Sequence, residues 1–176
     1  MPRMERRPYD PERDATALWE CKVSFERELG GLGEGAKAET YDGKLTDDYR
    51  ERYLAWVERC VERDADCVTV AESSDVEQSG AVEDETGLAG YVFVLPEDLA
   101  MIWDAAVLNE LFVHESARGT GLADDLLEAA YECARDQDLP VDRIALDVGM
   151  KNERAASVYR REGFEPWGEL VARGLG

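Results

Sequence analysis

The chain has 176 residues, 44% of them apolar, which is enough for one domain spanning 1–176 with a real core and too apolar for a disordered chain. Forty acids against twenty bases give a formal net charge of −20, a balance that speaks against nucleic acid as a ligand. No apolar run nears the roughly twenty residues of a membrane span and no N-terminal segment reads as a signal peptide, so a cytoplasmic protein without membrane contact is expected.

Arg6–Asp10 closes a short first strand. Asp10 then reads as an N-cap and Pro11 as the first residue of a helix running to Leu29, with Ala15, Leu18, Val23 and Phe25 as apolar positions. Gly30, Gly31, Gly33, Gly35 and Gly43 make the stretch from Gly30 to Lys44 read as a loop. Thr46 caps a second helix from Asp47 to about Arg63, whose core stripe is Tyr49, Tyr53, Trp56 and Cys60. A strand follows over Cys67–Ala71, then an acidic hairpin loop over Glu72–Thr86. Strands are expected at Leu88–Leu95 and Ala105–Val113, and a helix from Gly119 to about Asp136 with Leu122, Leu126, Ala130 and Cys133 inward. Val141–Val148 alternates like a strand, Asn152–Glu162 is the last helix, and Trp167–Arg173 adds a final strand. That order predicts an α/β (α+β) fold with a mixed, mostly antiparallel sheet and helices on both faces.

Two motifs carry the chemistry. Arg118-Gly119-Thr120-Gly121-Leu122-Ala123 stands where a strand pattern ends and a helix pattern begins. Its glycines permit unusual backbone angles and close approach of a ligand. Free N–H groups and the helix dipole favour an anion there, and Arg118 adds a cation; a pyrophosphate suits such a turn. The alternative is a sharp connector with solubilising charge. The second motif is Asn152-x-x-Ala155-x-x-x-Tyr159-x-x-x-Gly163-Phe164. Its spacing alone fits core residues followed by a glycine C-cap.

Taken together, the two motifs resemble the GCN5-related N-acetyltransferase (GNAT) family, most closely between Ala105 and Phe164. The resemblance implies the acyl-CoA N-acyltransferase fold, with the strands at Ala105–Val113 and Val141–Val148 splayed apart. It implies acetyl-CoA as cosubstrate and no metal. The pantetheine arm would lie in the gap, against the edge Leu111, Phe112 and Val113, and the pyrophosphate on Arg118, Gly119, Thr120, Gly121, Leu122 and Ala123. Asn152 would cap the last helix near the arm, Ala155 would let CoA pass, and the Tyr159 hydroxyl would return a proton to the leaving thiolate. The backbone N–H of Phe112 or Val113 would polarise the thioester carbonyl. Two positions depart from the family pattern: Glu115 stands where Pro is common, and Ser116 where Gln or Arg is common.

Acetyl transfer also needs a base, because an ammonium has no lone pair. Glu110 is the first candidate, with Asp104 and Asp147 behind it; alternation puts Asn109 on the face opposite Glu110. The motifs resemble the small-amine branch of the family, which implies a polyamine-like or aminoglycoside-like acceptor. A protein N-terminus or a lysine side chain is the peptide alternative. A CoA-binding sensor or interaction module without catalysis is the reading from another class. A homodimer is the family's default.

The remaining signals are chemical exclusions and salt. Cys21, Cys60, Cys67 and Cys133 form no C-x-x-C and read as reduced, buried thiols. His114 is the only histidine and reads as a solvated loop residue, which argues against zinc and Ser-His-Asp sites. Four lysines against sixteen arginines, and acids spread along the whole chain, resemble the proteome bias of salt-in halophilic archaea. An acidic surface that recruits cationic partners is the alternative.

Overall fold

The computed structural model describes residues 4–32, 36–73, 87–149 and 151–176. Strand β1 (Arg6–Pro8) leads into helix α1 (Pro11–Gly31), where the Asp10 side chain accepts from the Glu12 N–H at 3.0 Å. Helix α2 (Ala36–Gly43) and helix α3 (Asp47–Arg63) follow, the latter capped by Thr46, which accepts from the Tyr49 N–H at 3.2 Å. Next come β2 (Val68–Glu72), β3 (Leu88–Val94), the one-turn helix α4 (Glu97–Ala100) and β4 (Ala106–Val113). A short 3₁₀ turn (Glu115–Ala117) precedes α5 (Leu122–Arg135), β5 (Ile144–Ala145) and α6 (Glu153–Arg161).

The five strands lie in the order β1-β2-β3-β4-β5, antiparallel except for the parallel β4–β5 pair. Strand β3 is buried along its whole length, as a central strand covered on both faces must be. Successive side chains show which helices cover which face. Tyr91 reaches Glu110, and Phe93 packs its ring 5.1 Å from Trp56 of α3. Position 90 points the other way: a Cβ there would lie 3.3 Å from Leu126 of α5 and only 2.5 Å from the Phe112 carbonyl oxygen. Glycine at 90 therefore lets β3, β4 and α5 close up, with α1 and α3 on the opposite face.

Three expectations are corrected. The glycine-rich stretch after α1 is not all loop, because Ala36–Gly43 is helical. Gly30 and Gly31 belong to the end of α1, and a Cβ on Gly30 would sit 3.0 Å from the Tyr41 Cβ; that glycine allows α2 to pack close. The strand expected over Val141–Val148 shrinks to Ile144–Ala145, paired with Ala106 and Val107 only. No strand forms at Trp167–Arg173; residues 164–176 carry no regular structure, and Trp167, Leu170 and Val171 are exposed. The acidic loop expected at Glu72–Thr86 falls, from 74 to 86, outside the described residues.

All four cysteines are buried free thiols. Burial pushes Cys21 and Cys133 up to about 12, helped by Glu20 at the first and by Asp64 at the second. Among the described residues, no helix is long and apolar enough to cross a membrane.

Candidate active site

Strand β4 organises the site because it stops pairing on one side while continuing on the other. Its ladder with β5 ends after Val107, whereas its ladder with β3 runs on to Val113. Beyond Val107 no strand among the described residues pairs with the β5-facing edge of β4. Which groups face that gap follows from one bond. The His114 N–H donates to Ala89 of β3 at 2.7 Å, so alternation sends the Phe112 and Glu110 N–H groups the same way. Leu111 and Val113 then direct their main-chain groups into the gap. The Val113 carbonyl confirms the direction by accepting from Arg118 Nε at 3.1 Å. Of the two expected carbonyl-polarising groups, Val113 faces the gap and Phe112 does not. The Phe112 side chain is buried, its ring 6.3 Å from Tyr91.

At the end of the gap, Gly119 (φ 76°) and Gly121 (φ 88°) take left-handed backbone conformations. Gly121 is the N-cap of α5 and gives it no side-chain cap, so the first N–H groups at Leu122 and Ala123 have no intrahelical acceptor. A Cβ built on either glycine meets nothing within 4 Å, so the turn borders open space. Thr120 donates its hydroxyl to the Ala117 carbonyl at 2.6 Å and braces the turn from behind. Arg118 is turned toward α1, 2.5 Å from Glu28, and Arg154 of α6 meets the same carboxylate at 2.9 Å. Glu115 and Ser116 are exposed, and the Ser116 hydroxyl pairs with His114 Nδ1 at 2.8 Å.

Helix α6 is fixed at both ends by its motif. Asn152 Oδ1 accepts from the Ala155 N–H at 3.2 Å. At the other end, Phe164 N–H donates to the Tyr159 carbonyl at 2.9 Å and Gly163 N–H to Arg160 at 3.1 Å, with Gly163 at φ 88°. That is a Schellman closure, and the Tyr159 and Phe164 rings complete it edge to face at 5.5 Å. The Tyr159 hydroxyl has no hydrogen-bond partner among the described residues. Burial raises the phenol to about 12, so it stays protonated through the neutral range.

The other side of β4 opens on a cleft of about 720 Å³ whose floor holds Glu110, Lys22 and Glu26. These three charges are almost wholly buried. Glu110 accepts from Lys22 and, at 2.6 Å, from the Tyr53 hydroxyl, while Lys22 lies 2.5 Å from Glu26. Lys44 Nζ stands 2.7 Å from Glu26 Oε2 and extends the chain of ion pairs toward the cleft mouth. Burial alone would lower the Lys22 pKa, but Glu110 and Glu26 outweigh it and raise it. Burial raises Tyr53 as well, and Tyr91 and Glu110 add to the rise.

Glu110 lines the cleft, and so does Asn109 beside it. Alternation predicts opposite faces, but Asn109 is the extra residue of a bulge: Glu110 pairs with Phe93, and Leu108 with Val94. Asp104 and Asp147 are exposed and do not line the cleft. Lys22, Glu26 and Tyr53 are the site residues that the sequence reading missed. A signal existed, since Asp14, Leu18, Lys22, Glu26 and Gly30 recur every four residues and all are buried. Charges on the inward stripe of a helix need partners.

The family profile described as the acetyltransferase (GNAT) domain matches residues 65–166, more than half of the chain. No curated protein matches the chain in sequence. Among solved structures, the PaiA N-acetyltransferase of Thermoplasma acidophilum, in complex with coenzyme A, has a TM-score of 0.69 at 18% identity, over 93% of this chain and 90% of that one. The ribosomal-protein-alanine N-acetyltransferase of Brucella melitensis has a TM-score of 0.62 at 23% identity, over 94% and 86%. A GNAT-family acetyltransferase of Staphylococcus aureus has a TM-score of 0.59 at 14% identity, over 93% and 85%.

Proposed function

The chain belongs to the GNAT acetyltransferase family, and from that premise we propose that it moves the acetyl group of acetyl-CoA to the primary amine of a small molecule or peptide held in the β4 cleft. The observation that carries this reading is the β4 edge left unpaired beyond Val107, with the uncapped glycine turn at its end. The residues fit the cosubstrate. Leu111 and Val113 offer main-chain groups to an amide-bearing arm, as an added strand would use them. Gly119, Thr120, Gly121, Leu122 and Ala123 offer N–H groups and space to a pyrophosphate. Arg118 reaches the same anion by leaving Glu28. Ala155, a small residue in the first turn of α6, would leave room for the cosubstrate, and Asn152 holds the helix start.

Acetyl-CoA supplies an activated thioester: the amine nitrogen bonds the carbonyl carbon, the C–S bond breaks and the thiolate leaves. Glu110 takes a proton from the acceptor ammonium, directly or through water, which frees the attacking lone pair. The Val113 N–H stabilises the charge that develops on the carbonyl oxygen. Tyr159 gives its hydroxyl proton to the leaving sulfur, and the proton that the nitrogen sheds on becoming the amide restores the phenol through solvent. Acids on the cleft wall (Glu26, Glu51 and Glu110) support a polyamine-like or aminoglycoside-like acceptor, with a lysine side chain or protein N-terminus as the peptide alternative.

One observation favours a second reading, a CoA-binding module that does not catalyse: the Glu110 carboxylate is already engaged by Lys22 and Tyr53. A thiol-release assay with acetyl-CoA across a panel of amines tests both. Amine-dependent release supports transfer. Tight CoA binding with no release for any amine would leave the silent module.

A further inference from the structure

The chain carries two acids for every base, yet its acceptor cleft holds four bases against three acids. Lys22, Lys44, Arg52 and Arg59 line it against Glu26, Glu51 and Glu110, and two of the chain's four lysines are among them. On the floor, Lys22 and Lys44 are taken up by Glu110 and Glu26. At the rim the cations are spare. Arg52 has only Asp48, 3.7 Å away and as exposed as itself. Arg59 has no ion-pair partner among the described residues. Arg52, Trp56 and Arg59 follow each other at i, i+4 and i+7 on α3, so one helix face presents both guanidinium groups with an indole between them. A polycation in this cleft would meet floor acids already paired with Lys22 and Lys44 and, among the exposed groups, Glu51 against two arginines. A surface with a net charge of −20 gives an anion no general welcome, so cations concentrated here point to a local use.

We propose that the acceptor carries a carboxylate as well as its amine. The amine would lie toward Glu110 and Glu26, the carboxylate on Arg59 with Arg52 beside it, and the carbon chain against Trp56 and Tyr49. Guanidinium recognises carboxylate through paired N–H donors, which is why arginine suits this rim. The inference rests on the cleft being the acceptor site of the proposed acetyl transfer. It narrows the acceptor from a plain polyamine to a diamino acid or similar zwitterion.

Matched pairs that differ only by the carboxylate test it: the free amino acids ornithine and lysine against putrescine and cadaverine. Calorimetric titration of the full chain reads the ligand class without requiring turnover. Each amino acid should bind at least about tenfold more tightly than its diamine, as one charge-assisted contact supplies. Arg59→Gln, at an exposed position, should bring the amino acids down to the level of the diamines. Equal or weaker binding of the amino acids, a preference that survives Arg59→Gln combined with Arg52→Gln, or no binding of any of the four overturns the proposal. Thiol release separates it from the reaction itself. Amino-acid binding without release leaves the ligand class standing and counts against acetyl transfer. Release with diamines alone keeps acetyl transfer and overturns the carboxylate.

Discussion

On the cleft side of β4 the candidate groups are side chains gathered from residues as distant as Lys22, Tyr53 and Glu110; on the gap side the candidates are mostly main-chain groups between Leu111 and Ala155. The charges on the cleft floor, Lys22, Glu26 and Glu110, are buried and hold one another. On the gap side, the N–H groups of Leu122 and Ala123 lack an intrahelical acceptor. The contrast suggests two tolerances. Main-chain donors are indifferent to most side-chain changes but sensitive to backbone angle. A buried charge cluster ignores backbone detail but fails when one member is lost. It also separates what acetyl transfer has in common between acceptors, the cosubstrate, from what differs, the amine.

Breaking the gap side should take one residue. Gly121 sits at φ 88°, where a β-branched side chain is strained whatever the space around it. Gly121→Val should abolish CoA binding by calorimetry while far-UV circular dichroism stays native. Unaltered affinity would remove the turn from the proposed site.

Breaking the cleft side should cost stability. Lys22→Met leaves Glu110 and Glu26 buried without their shared cation, a loss of about 3–5 kcal/mol for a broken buried pair. Chemical denaturation reads it. Adding Glu110→Gln should recover part of the loss, because the orphaned charge goes with it; strict additivity would mean that the two residues do not interact.

Tyr159, the proposed proton donor, bears on the reaction rather than on either binding region. Tyr159→Phe keeps the ring packing against Phe164 and should lower kcat about 10²-fold, or about 2.7 kcal/mol, with little change in the KM for acetyl-CoA. Because the phenol ionises near 12, its proton is available throughout the alkaline range. The acid-dependent step should therefore hold level to beyond pH 10, where an ordinary tyrosine is half ionised. A wild-type kcat in the variant would leave Tyr159 as a packing residue.

Away from both regions, Asp14 provides a reference for charge in a purely structural setting. Burial alone would raise its carboxyl, but hydrogen bonds from Arg7 and the Asp10 N–H, with the charges of Arg7 and Arg13, hold it below the ordinary value. A depressed acid stabilises the fold above its unfolded pKa and loses that contribution as pH falls through the folded one. Melting temperature should fall below about pH 4, and less steeply for Asp14→Asn. Superimposed acid limbs would exclude this pair from acid stability.

The smallest effect is expected from salt, which acts over the whole surface. Charges interact over about 10 Å at 0.1 M and about 3 Å at 1 M. Melting in 2 M KCl should exceed melting in 0.1 M, as the halophile-like composition predicts. The reverse order would favour the reading in which the acidic surface recruits cationic partners.

The gap side was legible because backbone angle writes itself into sequence. Gly119, Gly121 and Gly163 each stand at a positive φ, and the Asn152 cap lies beside its acceptor pair in the chain. The Tyr159, Gly163 and Phe164 spacing turned out to serve a Schellman closure as well as a candidate proton donor. The cleft side was not legible for the opposite reason. Nothing near Glu110 in sequence announces Lys22 or Tyr53, and Tyr53 looks like any other member of an apolar stripe. The bulge at Asn109 depends on register with β3 and has no glycine to mark it. Pairing also decided the failed strands: alternation in Val141–Val148 was real, but β4 offers β5 only two partners.

The four buried cysteines have a practical consequence. A thiol dye reacts with thiolate, and here both access and ionisation are suppressed, with Cys21 and Cys133 near 12. The folded protein should be nearly silent to such a dye at neutral pH. Each mole of coenzyme released would then register above a flat protein background, and a slow rise in an enzyme-only blank would report unfolding. The same cuvette could follow turnover and the survival of the fold in every variant above.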